Sequence, residues 1–465
     1  MAIQLYNSLT KKKEFFKPIK PNKIRFYLCG ITTYDDCHIG HARTNAAFDV
    51  IVRYLRFSGF EVTFVRNITD IDDKIIQRAQ ENNENIGELV KRMIVSMSED
   101  FNRLHILAPD HAPRATEMIS EMCLMIQTLI EKDYAYVAAN GDVYYRIEKF
   151  KGYGKLSNQD LASLKQGARI EVAKEKENPL DFVLWKMAKP GEPSFDSPWG
   201  KGRPGWHIEC SAMAKSTLGE TLDIHGGGSD LRFPHHENEI AQSEAANSVP
   251  FANYWLHTGM VQVNDEKMSK CLNNFFSIKT VLTHYHPEVL RFFLISGHYR
   301  SEINYSDENL EHAKASVDRL YMALRGLTPS TIMPEDAEAY LEKFIQAMDN
   351  DFNTPEAIAV LFNLAKEINK HRASGANNDA IKYANLLRKL AQILGLLQYN
   401  TEKYFIDDEQ IDGQYSKNEI EALIAKRLSA KKQKDWATAD QIRTQLLQQG
   451  IVLEDSATET LWRHR

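Results

Sequence analysis

KIRFYLCGITTYDDCHIGHART, residues 23–44, opens on an apolar run and ends where a helical pattern begins. KIRFYLC (23–29) predicts a strand. Helical periodicity then runs from His38 to Ser58 and stops before Gly59, and EVTFVR (61–66) predicts a second strand. Strand, helix and strand in that order imply a parallel sheet with a right-handed crossover. Everything else in the chain is read outward from this α/β unit.

Downstream, Asn140-Gly141 between YAYV and DVYYRI is a hairpin signal, so an antiparallel insertion at about 110–205 is expected to interrupt the sheet. Residues 148–178 are loop-rich and charged. Alternation resumes through DFVLWK, a helix carrying Cys210, LDIHGGG, a helix from His235, and YWLHTG. From Ser306 to Leu397 long helical stretches follow one another. The tail offers two helices and two short strands, GIVLED and TLWR. The expected organisation is an α/β catalytic domain over 1–305, a helical bundle over 306–399, a linker over 400–415, and a small α+β domain over 416–465.

The 465 residues, 43% hydrophobic and 26% charged, are ordinary for a globular protein of several domains. No apolar run reaches the length of a membrane span, and MAIQLYNSLTKKKEFF lacks the apolar core of a secretory signal, so a cytoplasmic location is expected. Five scattered cysteines (29, 37, 123, 210 and 271) argue against a disulfide framework and leave thiols for metal binding. A net charge of −6 means that any nucleic acid must be held by local basic patches.

Two motifs suit a nucleotide. His38, Gly40 and His41 stand at a helix start, where unpaired N–H groups and the positive dipole end favour phosphate. Gly40 leaves room for a base or ribose. Incidental histidines at a helix start fit the same residues. Lys267 and Lys270 flank Met268-Ser269 in a polar loop, where they could close over a triphosphate, or simply be solvated lysines. HIGH (38–41) followed far downstream by KMSKC (267–271) resembles the signature pair of the class I aminoacyl-tRNA synthetases. That resemblance implies a Rossmann-like doubly wound parallel sheet, Mg²⁺ with ATP, and His38, His41, Lys267 and Lys270 as catalytic charges. Cys271 replaces the usual serine.

A further group of residues narrows the choice. His235 and Glu239 lie four apart in FPHHENEIAQSEA (233–245), so on a helix their side chains can converge. Taken alone, the pair is more readily read as an exposed polar helix face. Cys29 ends the first strand and Cys210 lies in RPGWHIECSAM, which brings the possible zinc ligands to two thiols, an imidazole and a carboxylate. These segments, with TDIDDKI, GGGSDLRFPHHENE and GIVLED, closely resemble the cysteinyl-tRNA synthetase family. The resemblance implies one Zn²⁺ held by Cys29, Cys210, His235 and Glu239 in the amino-acid pocket. It also implies L-cysteine, ATP and tRNA(Cys) as partners.

Around that pocket, Trp206 is expected as a wall or as core packing, His225 or Asp230 as a contact to substrate polar groups, and Thr69 and Asp70 nearby. Cys37 and Cys123 are read as buried or incidental thiols. Asp351 and Thr354 in MDNDFNTPEA are read as capping or turn residues. KRLSAKKQKDW carries five Lys/Arg between Lys426 and Lys434, then Trp436. This is either a solvated face or a surface for an unstacked RNA loop, with Arg427, Trp436, Asp440 and Glu454 as candidate tRNA contacts. Two alternatives share part of this pattern. A cysteine:amino-sugar ligase of the same superfamily would lack the tail, and a non-catalytic zinc-dependent RNA-binding protein would not use the nucleotide motifs.

Overall fold

The computed structural model describes residues 2–159, 175–264, 266–267, 276–406, 415, 417–455 and 460–464. β1 (Gln4–Asn7) and β2 (Lys12–Phe15) form an antiparallel hairpin. β3 (Lys23–Thr32) and β4 (Glu61–Thr69) pair in parallel, joined by the Ile39–Phe57 helix, as the opening stretch predicts. β5 (Ala135–Val137) and β6 (Val143–Tyr145) are the predicted hairpin. β7 (Phe182–Met187) and β8 (Gly202–Pro204) extend it into a four-stranded antiparallel sheet. DFVLWK therefore belongs to the insertion, and the parallel alternation resumes after it. Its apolar pattern marks a strand without saying which sheet the strand joins.

β9 (Leu222–Gly228) and β10 (Ala252–Thr258) complete the parallel sheet, in the order β10-β9-β3-β4. From β3 the chain moves outward to β4; from β9 it moves outward the other way to β10. The order thus reverses between β3 and β9, and open α/β sheets bind ligands outside the carboxyl ends of the strands at such a reversal. Alternation along β3 serves two layers. Ile24, Phe26 and Leu28 pack into the core that holds Phe48 and Ile51 of the first helix. Tyr27 and Cys29 face the opposite core, which holds Cys210, Met213 and Ile240.

β11 (Val261–Val263) pairs with β12 (Glu266–Lys267) and with β13 (Ile303–Tyr305). Four long helices follow, Asp307–Leu324, Ala337–Asp349, Thr354–Ala373 and Asn377–Ile393, and their core is continuous with the first-helix side of the sheet. The expected capping role falls to Asn353, whose Oδ1 accepts from Glu356 N at 3.3 Å; Thr354 is the first helical residue. Asp351 is a turn residue, as expected, at φ 63°, and its buried carboxylate ties three segments together. It accepts from Tyr6 N (2.8 Å), the Tyr299 hydroxyl (2.9 Å) and Arg300 Nε (2.8 Å).

The expected linker starts with a helix, Thr401–Ile406, because Tyr404 stacks on Tyr321 at 3.9 Å and Phe405 is buried beside it. Residues 407–414 and 416 lie outside the described residues. Helices Lys417–Lys432 and Trp436–Gln448 then pack on the antiparallel pair β14 (Ile451–Asp455) and β15 (Thr460–His464), around a small separate core of Ile420, Ile424, Leu446 and Trp462. Among the described residues no helix is long and apolar enough to cross a membrane.

Candidate metal centre and nucleotide site

β3 breaks register against β4 between Leu28 and Ile31. The break has a local cause. A Cβ on Gly30 would stand 1.7 Å from the Asn67 carbonyl oxygen, so only glycine fits, and Gly30 N donates to Asn67 Oδ1 at 2.7 Å. The Cys29 thiol is thereby presented at the carboxyl end of β3. There it meets Cys210 Sγ at 3.7 Å and Glu239 Oε1 at 3.2 Å. His235 Nε2 lies 3.1 Å from the same Oε1, one helical turn away. Ligand atoms of Cys29, Cys210, His235 and Glu239 all lie within 4.8 Å of one another.

The exposed-face reading of the His235 helix is overturned: His235 to Ser243 are all buried. Glu237 and Asn238 are satisfied from elsewhere in the fold. Glu237 accepts from Gly154 N (2.9 Å), Leu156 N (3.1 Å), Ser157 N (2.8 Å) and Ser157 Oγ (2.9 Å). Asn238 accepts from the Tyr153 hydroxyl.

A second grouping, Cys29, His225, His236 and Glu239, shares two of these residues. Its histidines are engaged differently. His225 Nε2 lies 2.9 Å from Glu239 Oε2, and His236 Nδ1 lies 2.9 Å from His257 Nε2. The first grouping holds both thiols, which soft cations favour. Burial opposes a charge on Glu239, yet His225 and His235 outweigh it and hold the carboxyl well below the usual range. Burial likewise opposes the His235 imidazolium, but Glu239 and Cys210 lift it to about 10. Contact with Cys29, against burial and with help from His235, brings the Cys210 thiol down to about 6; burial and Cys210 push Cys29 up. Glu239 and Cys210 thus favour their ionised forms, while Cys29 and His235 hold protons that a metal ion would have to displace.

Trp206 is 38% exposed and stacks on His235 at 4.2 Å, beside the donor cluster. His225 is fully buried, stacked on Trp255 at 4.4 Å, and reaches the site through Glu239. Asp230 lies exposed on the Ser229–Arg232 turn, its Oδ1 over the Gly228 backbone. Asp70 is engaged by Thr116, through N at 2.9 Å and Oγ1 at 2.6 Å. Thr69 Oγ1 donates to Glu209 Oε2 at 3.2 Å. Glu209, His207 and Asn67 were not singled out from the sequence. His207 and Glu209 flank Cys210 in WHIEC, which was a usable signal; Asn67 carried none. Cys37 is buried and Cys123 half-buried, and neither joins a metal grouping among the described residues.

His38 caps the first helix. Its Nδ1 accepts from Gly40 N (3.0 Å) and His41 N (3.3 Å), and His41 Nδ1 accepts from His38 N at 3.3 Å. The N–H groups expected to be unpaired are therefore engaged by the motif itself, and the two rings stack at 3.6 Å. Ile39 N donates to Phe276 O (3.1 Å) and Ile278 N to Cys37 O (2.8 Å), so the first motif is stitched to the exit of the lysine loop. Lys270 and Cys271 lie outside the described residues, and Lys267 is described only as backbone of β12.

In the tail, Arg427 is corrected. It is 2% exposed and makes a bidentate pair with Asp455 at 2.7 and 2.8 Å, joined by Lys431 at 2.7 Å. A basic run is read as surface because its partner, 28 residues on, is invisible locally. Trp436 is 59% exposed and Asp440 is exposed on the same helix; the Glu454 side chain lies outside the described residues.

Three family models match. They are tRNA synthetases class I (C) catalytic domain over residues 15–315, DALR domain over 343–398, and Cysteinyl-tRNA ligase anticodon binding domain over 417–463. The chain is 64% identical to a cysteine–tRNA ligase of Francisella philomiragia subsp. philomiragia and 64% identical to one of Francisella tularensis subsp. novicida. Each match covers 98% of this chain and 99% of the relative. Among solved structures, Mycobacterium tuberculosis methionyl-tRNA synthetase in complex with methionyl-adenylate aligns with a TM-score of 0.58 at 12% identity, over 80% of this chain and 90% of that one. The ternary complex of Agrobacterium radiobacter K84 agnB2 LeuRS with tRNA and LeuAMS gives 0.57 at 12% identity, over 82% and 84%. At that identity they show the fold, which is the class I synthetase fold.

Proposed function

The chain belongs to the cysteine–tRNA ligase family and is an aminoacyl-tRNA synthetase, and on that premise we propose how its residues divide the work. The reaction has two steps. The carboxylate of L-cysteine attacks the α-phosphate of Mg²⁺-bound ATP, giving cysteinyl-adenylate and pyrophosphate. The 2′-hydroxyl of the terminal adenosine of tRNA(Cys) then takes the cysteinyl group and releases AMP. Both steps occur in the cytoplasm.

The donor set fits one zinc ion. Two thiols, one imidazole and one carboxylate, all buried, converge from β3 and two helices at the reversal of the sheet. Cys29, Cys210, His235 and Glu239 would hold the ion. When bound, it supplies a soft Lewis acid that favours a thiolate over a hydroxyl. Shape alone separates such similar side chains by only about 1–3 kcal/mol. His225 orients the Glu239 carboxylate, and Trp206 closes the mouth of the pocket over His235.

Phosphate chemistry falls to the first motif and the lysine loop. His38 and His41 stand at the dipole end of the first helix, and Gly40 leaves space beside them. Lys267 and Lys270 neutralise charge on the departing pyrophosphate. The Ile39–Phe276 and Cys37–Ile278 hydrogen bonds support this division, because they fix the loop exit beside His38. Positioning and charge carry most of the acceleration in such a transfer. At the far end, Trp436 offers an exposed ring on which an unstacked anticodon base can stack, with Asp440 beside it.

The observation that carries this reading is the convergence of the four donors at the carboxyl end of β3, the strand that leads into the first motif. Cysteine-dependent ATP–pyrophosphate exchange, followed by charging of tRNA(Cys), tests it. Exchange without charging would point to the amino-sugar ligase instead, and absence of both would favour the non-catalytic reading. The matched anticodon-binding region speaks against the first alternative.

A further inference from the structure

L-Cysteine carries three polar groups. The reaction consumes its carboxylate, and the donor cluster takes its sulfur. The α-ammonium, three bonds from that sulfur, still needs a partner, and a cation entering a largely buried site needs an anion. Five acids around the cluster are already engaged. Glu239 belongs to the cluster and Glu237 holds residues 154–157. Asp70 is engaged through both oxygens by Thr116. Asp72 caps Lys74 N at 2.8 Å, and Asp73 pairs with Lys186 and Arg203.

Glu209 is different. It is 1% exposed, immediately precedes Cys210, and among the described residues no lysine or arginine forms an ion pair with it. Thr69 Oγ1 donates to its Oε2 at 3.2 Å. That hydroxyl lies 3.4 Å from Asn67 Nδ2, and Asn67 Oδ1 lies 3.7 Å from Cys210 Sγ. A continuous polar path therefore runs from a donor thiol of the cluster through Asn67 and Thr69 to a buried carboxyl without a basic partner. The fold has placed an acid beside the thiol-binding centre and left its counter-charge to be supplied.

We propose that Glu209, together with the Thr69 hydroxyl that it orients, recognises the α-ammonium of the amino-acid substrate. The pocket then selects an α-amino thiol, where the cluster alone would select any small thiol. This inference rests on the activity proposed above and deepens it. Thr69 is placed as the contact and Glu209 as the charge behind it.

Calorimetric titration of the zinc-loaded protein without ATP tests this, using L-cysteine and 3-mercaptopropionate, which lacks only the amino group. The wild type should bind L-cysteine more tightly by about 10- to 100-fold, the range expected for a charge-assisted hydrogen bond. Glu209→Gln should lose most of that preference through weaker cysteine binding. Its affinity for 3-mercaptopropionate and its zinc content should be unchanged. Unchanged cysteine affinity, or an equal loss for both thiols, would overturn the proposal.

If Glu209→Gln fails to fold, the wild type alone decides. Cysteamine, which keeps the ammonium and lacks the carboxylate, should outbind 3-mercaptopropionate, and the reverse order would overturn the assignment. Failure of the wild type to bind any of the three thiols would sink the activity reading itself, a result distinct from loss of the amino preference.

Discussion

His225 Nε2 lies 2.9 Å from Glu239 Oε2, while the other oxygen of that carboxylate faces Cys29 and His235. One oxygen is fixed by an imidazole so that the second is presented to the donor cluster. Partners of this kind commonly contribute 10- to 100-fold to metal affinity. His225→Ala should therefore weaken zinc binding by about 10- to 100-fold in competition with a chromogenic chelator. Wild-type affinity in that variant would mean that Glu239 needs no such support.

The tail makes a contrast between two residues that look alike in sequence. Arg427 is buried against Asp455, whereas Trp436 is exposed. Arg427→Ala should raise hydrogen exchange across 451–464, because it leaves Asp455 without its bidentate partner. Trp436→Ala should leave that exchange unchanged and weaken tRNA(Cys) binding by about 1–3 kcal/mol, the range for one stacked base. Cysteine-dependent ATP–pyrophosphate exchange should survive both. If Trp436→Ala destabilises β14 and β15 as well, the indole is structural.

The same pair sets a pH dependence. Hydrogen bonding from Arg427, with Lys431 and Thr460, holds the Asp455 carboxyl well below its ordinary range despite partial burial. A carboxyl lowered in the folded state adds stability that is present above its unfolded value, near 4, and fades as pH falls below it. Exchange across 451–464 should therefore rise as pH drops below about 4 and be restored on return. Asp455→Asn should raise that exchange at neutral pH and flatten its acid dependence. A flat wild-type profile would refute the linkage.

Glu237 gives a stability test away from the chemistry. Its carboxylate accepts three backbone N–H groups and one hydroxyl from residues 154–157. Glu237→Ala leaves buried donors without acceptors, a loss on the order of 3 kcal/mol. Urea unfolding should show it, with the exposed Glu335→Ala as the reference. Equal midpoints for the two variants would contradict the role.

Local pattern carried the α/β unit and the bundle, because alternation in KIRFYLC and EVTFVR reports burial directly. It could not place DFVLWK, since an apolar strand looks the same in either sheet. It also left the His235 helix open as an exposed face. Tyr153, residues 154–157 and His257, which partner several of its buried polar groups, are far from that helix in sequence. Arg427 fails in the same way through Asp455. The four donors were legible as residue types, but their convergence depends on Gly30 and Asn67, a backbone approach that no spacing rule reports.

Extended X-ray absorption at the zinc edge tests the account most directly. The protein alone should show two sulfur neighbours, from Cys29 and Cys210. Saturating L-cysteine should raise the count to three, and L-serine should leave it at two. A sulfur count that stays at two with cysteine bound would contradict selection through a sulfur–metal bond.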